Sequence, residues 1–425
     1  MTALPSGSRI LHIGPHKTGT TTVQRAFHAN RARLFEAGVL YPGPTAHPMR
    51  AAMAAAGGRA LATDPASNGP QLWADLVAEI RAHPDHTAVV SSEFLCETTP
   101  GRIETIVGEI GADRVQVVVT VRPLVRLLGS QWQQYMQNRP ALSYDDTMGY
   151  EGWLDAVLNH PDRGVTPSFW RRHRHDHLVQ RWARVVGPER VTVIVIDESD
   201  RGMVLAAFAR LLGVGKELLR AEQAAANRSL TYPELRVLCA FNELFMASGW
   251  GIADYTRFVR FGLVRNLLDR QPDPGEPRLR TPRWAVEKAC AIGEEIADGI
   301  GSMGLGHVIG DLESLSDPAM ATEVGDNDGS QPVPPEIAAG FVAAMIRQVD
   351  QIRPYVPPGA RDSGPVEHAI RTDKRGRRAR SELADLEDAI ARAERDLRLA
   401  APPDELTAGQ IARLLGRRAK ARVRR

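Results

Sequence analysis

Short apolar runs alternate with longer amphipathic stretches along the first 200 residues of the chain. Apolar runs of about four to eight residues are typical of buried strands, and apolar positions three or four apart indicate helices. The run VQVVVTV at 115–121 is the most β-rich and has the composition of a buried parallel strand. Strands separated by helices predict a parallel sheet covered on both faces. The predicted strands are 9–14, 87–91, 115–121 and 191–196, and the predicted helices are 23–38, 72–83, 102–110, 122–138 and 177–186.

Strand signals fade after about residue 200, and the later segments are typical of helices. Thr231 and Glu234 have the spacing of a capping box, so a helix is expected from there to about residue 247. The sequence therefore predicts a helical C-terminal extension. Its further helices are expected at 284–300, 335–352 and 381–399, with Gly- and Pro-rich linkers at 325–335 and 356–365 and a basic tail at 416–425.

Composition sets broad limits on location and partners. Of the 425 residues, 43% are hydrophobic and 24% are charged, with a net charge of +2, which is the balance of an ordinary globular protein. So small a net charge gives no reason to expect nucleic acid as a partner. The three cysteines, Cys96, Cys239 and Cys290, lie far apart and suit neither a disulfide framework nor a thiolate zinc site. No leader segment and no apolar run of roughly 20 residues is visible, so a cytoplasmic location without a transmembrane segment is expected.

The most informative motif is GPHKTGTTT at residues 14–22. It follows the first predicted strand, opens a helix and keeps the spacing of a P-loop, with Gly14, four residues and then Gly19. Such a loop turns backbone N–H groups towards a phosphate at a helix N-terminus. A loop for ATP ends in Gly-Lys-Ser/Thr, whereas here Thr20 stands in the place of that lysine and the lysine is Lys17.

The position of the lysine, at 17 and not at 20, favours a transferred group with less charge than a phosphoryl group. Phosphoryl transfer needs a lysine together with Mg²⁺. A sulfuryl group carries less charge, so one lysine with backbone amides and hydroxyls could serve it without a metal. Glu93 and Asp197 are the nearest candidates for a Mg²⁺ ligand, and neither has a convincing position. No metal site is expected.

The same residues carry a resemblance to a known family. HKTGTTT is similar to the 5′-phosphosulfate loop of sulfotransferases that use 3′-phosphoadenosine-5′-phosphosulfate (PAPS), and HIGPHKTGTT resembles the form found in bacterial, carbohydrate-type members. The alternative is a Gly/Thr turn that does no more than open a helix. The resemblance implies that Lys17 contacts the bridging oxygen and that the 5′-phosphate is held by Lys17, Thr18, Gly19, Thr20, Thr21 and Thr22.

A PAPS site also needs a grip on the 3′-phosphate. Strand 115–121 ends in Arg122, and Ser130 follows eight residues later. Arginine suits phosphate because its planar fork donates two parallel hydrogen bonds, and the carboxyl end of a parallel strand is where open sheets bind ligands. The spacing resembles the family's 3′-phosphate motif, although Pro123 comes one residue early. The alternative is a surface arginine at the start of a helix.

Transfer to a hydroxyl requires a base that accepts its proton. Glu93 follows the second predicted strand, and the resemblance implies a glutamate or a histidine, so Glu93 is the first candidate. Its carboxylate could instead pair with Lys17 or Arg122. His16 is the second candidate for the base, whereas His12 lies inside a strand and is expected to be packed. The segment HRHDH at 173–177 is expected to be a solvated, positively charged helix start.

The sequence thus predicts an α/β, P-loop-like parallel sheet flanked by helices, with a helical C-terminal extension. The expected domains are a sulfotransferase-like catalytic domain at 1–250, a helical extension at 251–360, and a charged helix and basic tail at 361–425. The expected reaction moves a sulfuryl group from PAPS to a hydroxyl acceptor, expected to be a carbohydrate, by in-line displacement without a metal. The alternatives are a P-loop kinase for a small molecule and a non-catalytic descendant that binds nucleotide. The sequence does not indicate the oligomeric state.

Overall fold

The computed structural model describes residues 3–58, 68–139, 149–220 and 228–350, with side chains as far as 345. The predicted elements at 361–425 and the predicted linker at 356–365 lie outside the described residues. The strands are β1 (Arg9–His12), β2 (Val39–Leu40), β3 (Thr87–Ser91), β4 (Val115–Val121), β5 (Val191–Val195) and β6 (His307–Ile309). The helices are α1 (Thr20–Ala29), α2 (Arg31–Glu36), α3 (Met49–Ala55), α4 (Gly69–Ala82), α5 (Pro100–Ile110), α6 (Leu124–Gln137), α7 (Gly149–Leu158), α8 (Ser168–His173), α9 (His175–Val186), α10 (Met203–Leu212), α11 (Tyr232–Ser248), α12 (Ile252–Asp254), α13 (Arg265–Asp269), α14 (Arg283–Gly301) and α15 (Pro335–Asp350), with a π-helical segment at Tyr255–Val264.

The six strands form one parallel sheet in the order β2-β3-β1-β4-β5-β6. All residues of β1, β3 and β5 are buried, because parallel strands with helices on both faces have no solvent-exposed side. The predicted α/β class, a parallel sheet flanked by helices, is confirmed. All four predicted strands are present, and the sequence missed β2 and β6, which have only two and three residues.

The apolar core under the phosphate motif joins the sheet to the helices that flank it. Ile10 of β1 and Val118 of β4 lie in one buried cluster with Val23 and Phe27 of α1 and Phe208 of α10. The rings of Phe27 and Phe208 meet edge to face at 5.6 Å, a favoured geometry for aromatic pairs. This packing fixes the start of α1 relative to the carboxyl ends of β1 and β4.

The chain crosses from one half of the sheet to the other at β1. Strand β1 pairs with β3 on one side and with β4 on the other, in parallel register that sets His12 beside both Ser91 and Val118. Open α/β sheets bind ligands at such a switch point, beyond the carboxyl ends of the strands. The loops that follow β1, β3, β4 and β5 therefore meet at one edge of the sheet.

The chain divides into two compact units whose boundaries differ from the predicted division at residue 250. Among the described residues, the first unit contains those up to Ser229 together with Leu279–Asn327, and the second contains Leu230–Arg278 and Asp328–Asp350. The boundaries differ because α14 and β6, which lie late in the sequence, belong to the sheet-containing unit.

The second unit is helical in its described residues. The predicted capping box is confirmed at the start of α11, where Thr231 N–H donates to Glu234 Oε2 at 2.8 Å and Glu234 N–H donates to Thr231 Oγ1 at 3.5 Å. The buried hydroxyl of Tyr255 donates to Asn242 Oδ1 at 2.7 Å, and the rings of Phe241 and Phe341 lie 4.8 Å apart. Within the described residues, no helix combines the length and the apolar character that crossing a membrane requires.

Candidate functional site

The loop between β1 and α1, residues 14–19, is here called the phosphate loop. Two of its positions require glycine. A Cβ atom at Gly14 would lie 2.3 Å from Thr20 Cγ2 and 3.1 Å from Thr120 Oγ1, so no side chain has room there. Gly19 has a left-handed backbone with φ of 76°, which glycine adopts at little cost. Together these two residues allow the loop to turn sharply from the strand into the helix.

Lys17 is strained within this loop. Its φ of 69° is the only positive value among the non-glycine residues that the structure describes. A side chain in the left-handed region costs roughly 1–2 kcal/mol, and such strain concentrates at functional sites. Lys17 is exposed on the loop. Desolvation by the neighbouring protein, and then the positive charge of Arg122, lower the pKa of Lys17 from its ordinary value.

The hydroxyl groups of the motif divide between the core and the surface. Thr18 is fully buried, and its hydroxyl donates to Pro15 O at 2.7 Å and lies 2.8 Å from Thr120 Oγ1. Its predicted role in holding phosphate is therefore limited to its backbone. Thr20 is also buried, whereas Thr21 and Thr22 are exposed on the first turn of α1.

His12 supports the loop from below. Its Nδ1 lies 2.8 Å from Ser91 Oγ and its Nε2 lies 3.2 Å from Thr120 Oγ1, so the ring joins β1 to the strands on both sides. Burial lowers the pKa of His12 to about 3, so the ring is neutral at physiological pH. The prediction that His12 is packed is confirmed.

The helix that begins after the loop presents its N-terminus without a side-chain cap. Gly19 is the N-cap residue of α1 and makes no side-chain capping hydrogen bond. The first N–H groups of a helix have no partner inside the helix, and the helix dipole adds partial positive charge at that end. The arrangement suits an anion such as a phosphate group.

Arg122 connects the phosphate loop to the end of β4. Its Nη1 donates to the carbonyl oxygen of Lys17 at 3.2 Å, although the two residues are 105 positions apart in the sequence. Its Nε donates to Glu198 Oε1 at 2.5 Å, and Glu198 lies just beyond the end of β5. Arg126, one turn into α6, binds the other oxygen, with Nη2 at 2.7 Å from Glu198 Oε2. We call Arg122, Arg126 and Glu198 the arginine side of the site.

Ser130 lies two turns into α6 and is half-buried. Its hydroxyl donates to Leu127 O at 3.0 Å, within its own helix. The structure thus brings Lys17 and Arg122 together directly, and it gives Ser130 a local bond. The predicted part of Ser130 in binding a phosphate stays a prediction.

On the other side of the loop, Glu93 follows β3 and begins a short 3₁₀ helix, Glu93–Glu97. Its Oε2 accepts a hydrogen bond of 3.0 Å from Gln24 Nε2 of α1 and lies 3.4 Å from His47 Nε2. His47 Nε2 also lies 3.0 Å from Ser92 Oγ. Burial lowers the pKa of His47, while Glu93 acts in the opposite direction. The Glu93 carboxylate is therefore held by a hydrogen bond beside α1.

His16, the second candidate base, is 7% exposed. Its ring meets the edge of Phe94 with centroids 5.3 Å apart, and the ring of His47 stacks on Phe94 at 5.9 Å. Burial, followed by the charges of Arg172 and Lys17, keeps the pKa of His16 well below its ordinary value. We call His16, His47, Glu93 and Glu97, with Arg172, the β3 side of the site.

Arg172 is held within the β3 side by a carboxylate. Its Nε and Nη2 donate to Glu97 Oε1 at 2.8 and 2.6 Å. His16 Nε2 lies 3.8 Å from the same oxygen. The Glu97 carboxylate thus binds the Arg172 guanidinium and lies near the buried His16 ring.

The segment 173–177 is not the solvated helix start that the sequence predicts. His173 and His175 are fully buried where α8 gives way to α9, and the His173 ring lies against Phe169. The buried face of α9 includes His175, and His173 is buried at the end of α8. Burial lowers the pKa of His175 to about 4.

Sequence reasoning missed several residues of the site. Arg126 had a usable signal, because in the predicted helix at 122–138 it comes four positions after Arg122 and so lies on the same face. Glu198 also had one, since it follows a strand at the ligand-binding edge, although the sequence drew attention to its neighbour Asp197. The Asp197 carboxylate accepts hydrogen bonds from the Ser199 backbone and hydroxyl. His47 comes from a loop with no local signal.

Together the fold and the loop define an open α/β protein with a P-loop-like turn at its switch point. No protein-family model matches the chain, and no curated protein matches it. Among solved structures, the chain is similar to the crystal structure of a sulfotransferase from Alicyclobacillus acidocaldarius, at 17% identity. The match covers 60% of this chain and 95% of that one, with a TM-score of 0.35. A TM-score this low assigns no function to the chain.

Proposed function

We propose that the protein is a sulfotransferase that moves a sulfuryl group from PAPS to a hydroxyl of an acceptor, with a carbohydrate as the proposed acceptor class. The observation that carries this proposal is the bond from Arg122 Nη1 to the carbonyl oxygen of Lys17. Two motifs proposed to bind different phosphates, far apart in sequence, meet at one edge of the sheet. A nucleotide with phosphates at both its 5′ and 3′ positions matches this pair of cationic groups.

On the donor side, Lys17 and the start of α1 have the chemistry that the 5′ end of PAPS requires. The uncapped N–H groups of α1 would hold the 5′-phosphate, with the exposed hydroxyls of Thr21 and Thr22 nearby. Lys17 would stabilise the negative charge that develops on the oxygen between phosphorus and sulfur. PAPS is a substrate and supplies the sulfuryl group, and the products are a sulfate ester and adenosine 3′,5′-bisphosphate.

On the acceptor side, Glu93 is the proposed base. Its carboxylate would accept the proton of the acceptor hydroxyl as the oxygen attacks sulfur. Gln24 orients this carboxylate from α1, and His47 lies within 3.4 Å of it. His16 is the weaker candidate, because its imidazole is enclosed by Phe94 and lies near the Glu97 carboxylate.

Calorimetric titration of adenosine 3′,5′-bisphosphate, without metal, tests the donor half of the proposal. We expect micromolar binding to the wild type, and binding weaker by more than about tenfold, or roughly 1.4 kcal/mol, in Lys17→Ala and in Arg122→Ala. Arg210→Gln, at an exposed position on α10, is the matched control for loss of a positive charge. Absence of binding to the wild type would remove the foundation of the proposal.

The same preparation separates the alternatives. A P-loop kinase would be stabilised against heat by ATP with Mg²⁺ and not by PAPS. A non-catalytic descendant would bind PAPS tightly and yet release no adenosine 3′,5′-bisphosphate with any acceptor of a broad panel. Release that depends on one class of acceptor would identify that class, and release with carbohydrates alone would support the acceptor proposed.

A further inference from the structure

The arginine side contains one carboxylate for two guanidinium groups. Each oxygen of Glu198 binds a different arginine, Oε1 with Arg122 and Oε2 with Arg126. The three side chains come from the ends of two neighbouring parallel strands and from the first turn of α6. The two oxygens of the Glu198 carboxylate together contact both arginines. An oxyanion of a ligand in the same place would make the same two contacts.

These three side chains are only partly shielded from solvent. The side chains of Arg122, Arg126 and Glu198 are 25%, 18% and 31% exposed. Partly exposed ion pairs of this kind contribute little to stability. Solvent can therefore replace the Glu198 carboxylate at small cost, and so can a stronger anion.

Arg126 has a donor that Glu198 does not satisfy. The Nε atom of Arg126 is buried and has no hydrogen-bond partner within the described part of the chain. A buried donor without a hydrogen-bond partner is energetically unfavourable. A phosphate group has three terminal oxygens and up to two negative charges, so it can engage two arginines and still offer an oxygen to this N–H.

We propose that Arg126 joins Arg122 in binding the 3′-phosphate of the nucleotide, and that Glu198 competes with that phosphate for both arginines. This inference rests on the proposed function, because it adds Arg126 and Glu198 to the 3′-phosphate subsite proposed at Arg122. Glu198 leaves the arginines when the bisphosphate binds, so its carboxylate lowers the affinity for nucleotides that carry a 3′-phosphate. A nucleotide with a 5′-phosphate alone leaves Glu198 in place.

Calorimetry with a matched pair of ligands tests the assignment. The ligands are adenosine 3′,5′-bisphosphate and adenosine 5′-monophosphate, which differ only in the 3′-phosphate. For Arg126→Gln we expect the bisphosphate to bind about tenfold more weakly, which corresponds to roughly 1.4 kcal/mol, with the monophosphate changed less than twofold. For Glu198→Gln we expect the bisphosphate to bind about fivefold more tightly, again with little change for the monophosphate.

The sign of the Glu198→Gln effect separates competition from a supporting role. If Glu198 served to hold the arginines in place, its removal would weaken the bisphosphate, and that result would overturn the proposal. An unchanged affinity would overturn it as well. Glu36→Gln on α2, which is exposed, controls for the loss of a negative charge, and Arg210→Gln controls for the loss of a positive one.

A second measurement guards against misfolding of the variants. We expect the bisphosphate to raise the melting temperature of Glu198→Gln by more than it raises that of the wild type. Bisphosphate binding by the wild type that neither Arg126→Gln nor Glu198→Gln alters would reject this subsite and leave the proposed function standing. Failure of the wild type to bind either nucleotide would reject both.

Discussion

The two sides of the phosphate loop hold their charged groups in different ways. On the arginine side, Arg122 and Arg126 form ion pairs with Glu198, and all three side chains are partly open to solvent. On the β3 side, His16 is buried with a lowered pKa, and Glu93 is tied to a neighbouring amide and imidazole. One side is suited to an anion that arrives and leaves. The other is suited to moving a proton away from a neutral hydroxyl.

The two sides differ more in the kind of side chain than in exposure. On the β3 side the Glu93 and His47 side chains are 16% and 24% exposed, close to the values on the arginine side, and the most enclosed is His16 at 8%. Arginine keeps its charge in either setting, so the arginine side can bind an anion while it stays partly open to solvent. On the β3 side, burial holds the pKa of His16 well below its ordinary value. The enclosure is provided by Phe94, which lies between His16 and His47.

The largest effect expected is on the β3 side alone. Glu93→Gln keeps the size and the polarity of the side chain but removes the base, so transfer should fall by roughly 100- to 1,000-fold. Affinity for adenosine 3′,5′-bisphosphate should change less than threefold. The measurement is the release of adenosine 3′,5′-bisphosphate from PAPS with the best acceptor found.

Glu97→Gln is the matched control for this variant, since Glu97 carries the same charge on the same 3₁₀ helix but pairs with Arg172. We expect its transfer rate to fall less than tenfold. An equal loss in both variants would show that the β3 side needs its overall charge and not a particular base. The division of tasks between the two sides would then fail.

A smaller effect is expected on the affinity for adenosine 5′-monophosphate and for adenosine 3′,5′-bisphosphate, and it should be similar for the two. Gly14→Ala places a methyl group 2.3 Å from Thr20 Cγ2, so the loop has to shift away from its present path. Overpacking of this kind costs about 1–3 kcal/mol, and calorimetry should show the monophosphate and the bisphosphate weakened by comparable factors of roughly 30.

The control for Gly14→Ala is Gly108→Ala in the middle of α5, where a Cβ would meet nothing within 4 Å. We expect it to leave nucleotide binding unchanged and to raise stability by about 0.5–1 kcal/mol, because alanine favours a helix over glycine. A Gly14→Ala variant that weakened the bisphosphate alone would contradict the view that the loop serves the 5′ end.

The smallest expected effect is on the pH dependence of the free energy of unfolding. It should arise from the buried histidines near Arg172. His175 has a folded-state pKa of about 4, below its ordinary value of 6.5, so the unfolded chain binds a proton that the folded chain excludes. Stability from this group is full above pH 6.5 and is lost as the pH falls towards 4. Between pH 7.5 and 5.5 the loss should be roughly 1.4 kcal/mol.

Urea unfolding at a series of pH values measures this slope. Between pH 6.5 and 5, His175→Gln should reduce the slope of unfolding free energy against pH by an amount that corresponds to close to one proton. The control is His177→Gln, which replaces an exposed histidine on the same helix. A slope that His175→Gln leaves unaltered would show that His175 can be protonated in the folded protein.

The sequence predicted those parts of the fold and the site that depend on local pattern. The run at 115–121 identified β4, and the glycine spacing identified the turn that Gly14 and Gly19 make possible. Strand β6 could not be predicted, because three residues give no alternation and its partner β5 lies more than one hundred residues earlier in the chain. Local pattern also could not show that the hydroxyl of Thr18 points into the core, towards Thr120.

The side chains that modulate the site were harder to predict than those at its centre. Lys17 and Arg122 each follow a strand that the sequence identifies. His47 and Gln24 reach Glu93 only through the folded path of a loop and a helix. The burial of His173 was missed for a similar reason, since five polar residues in a row favour solvent until the packing of α8 against α9 is known.

The late position of β6 has a consequence for synthesis of the chain. Strand β5 ends at residue 195 and β6 begins at residue 307, so at about 5–20 residues per second the ribosome takes roughly ten seconds to make the segment between them. During that time the edge of β5 that faces away from β4 has no partner strand, and its N–H and C=O groups are open to pairing with another chain. The sheet is therefore complete only after residues 307–309 have been made, late in synthesis of the chain.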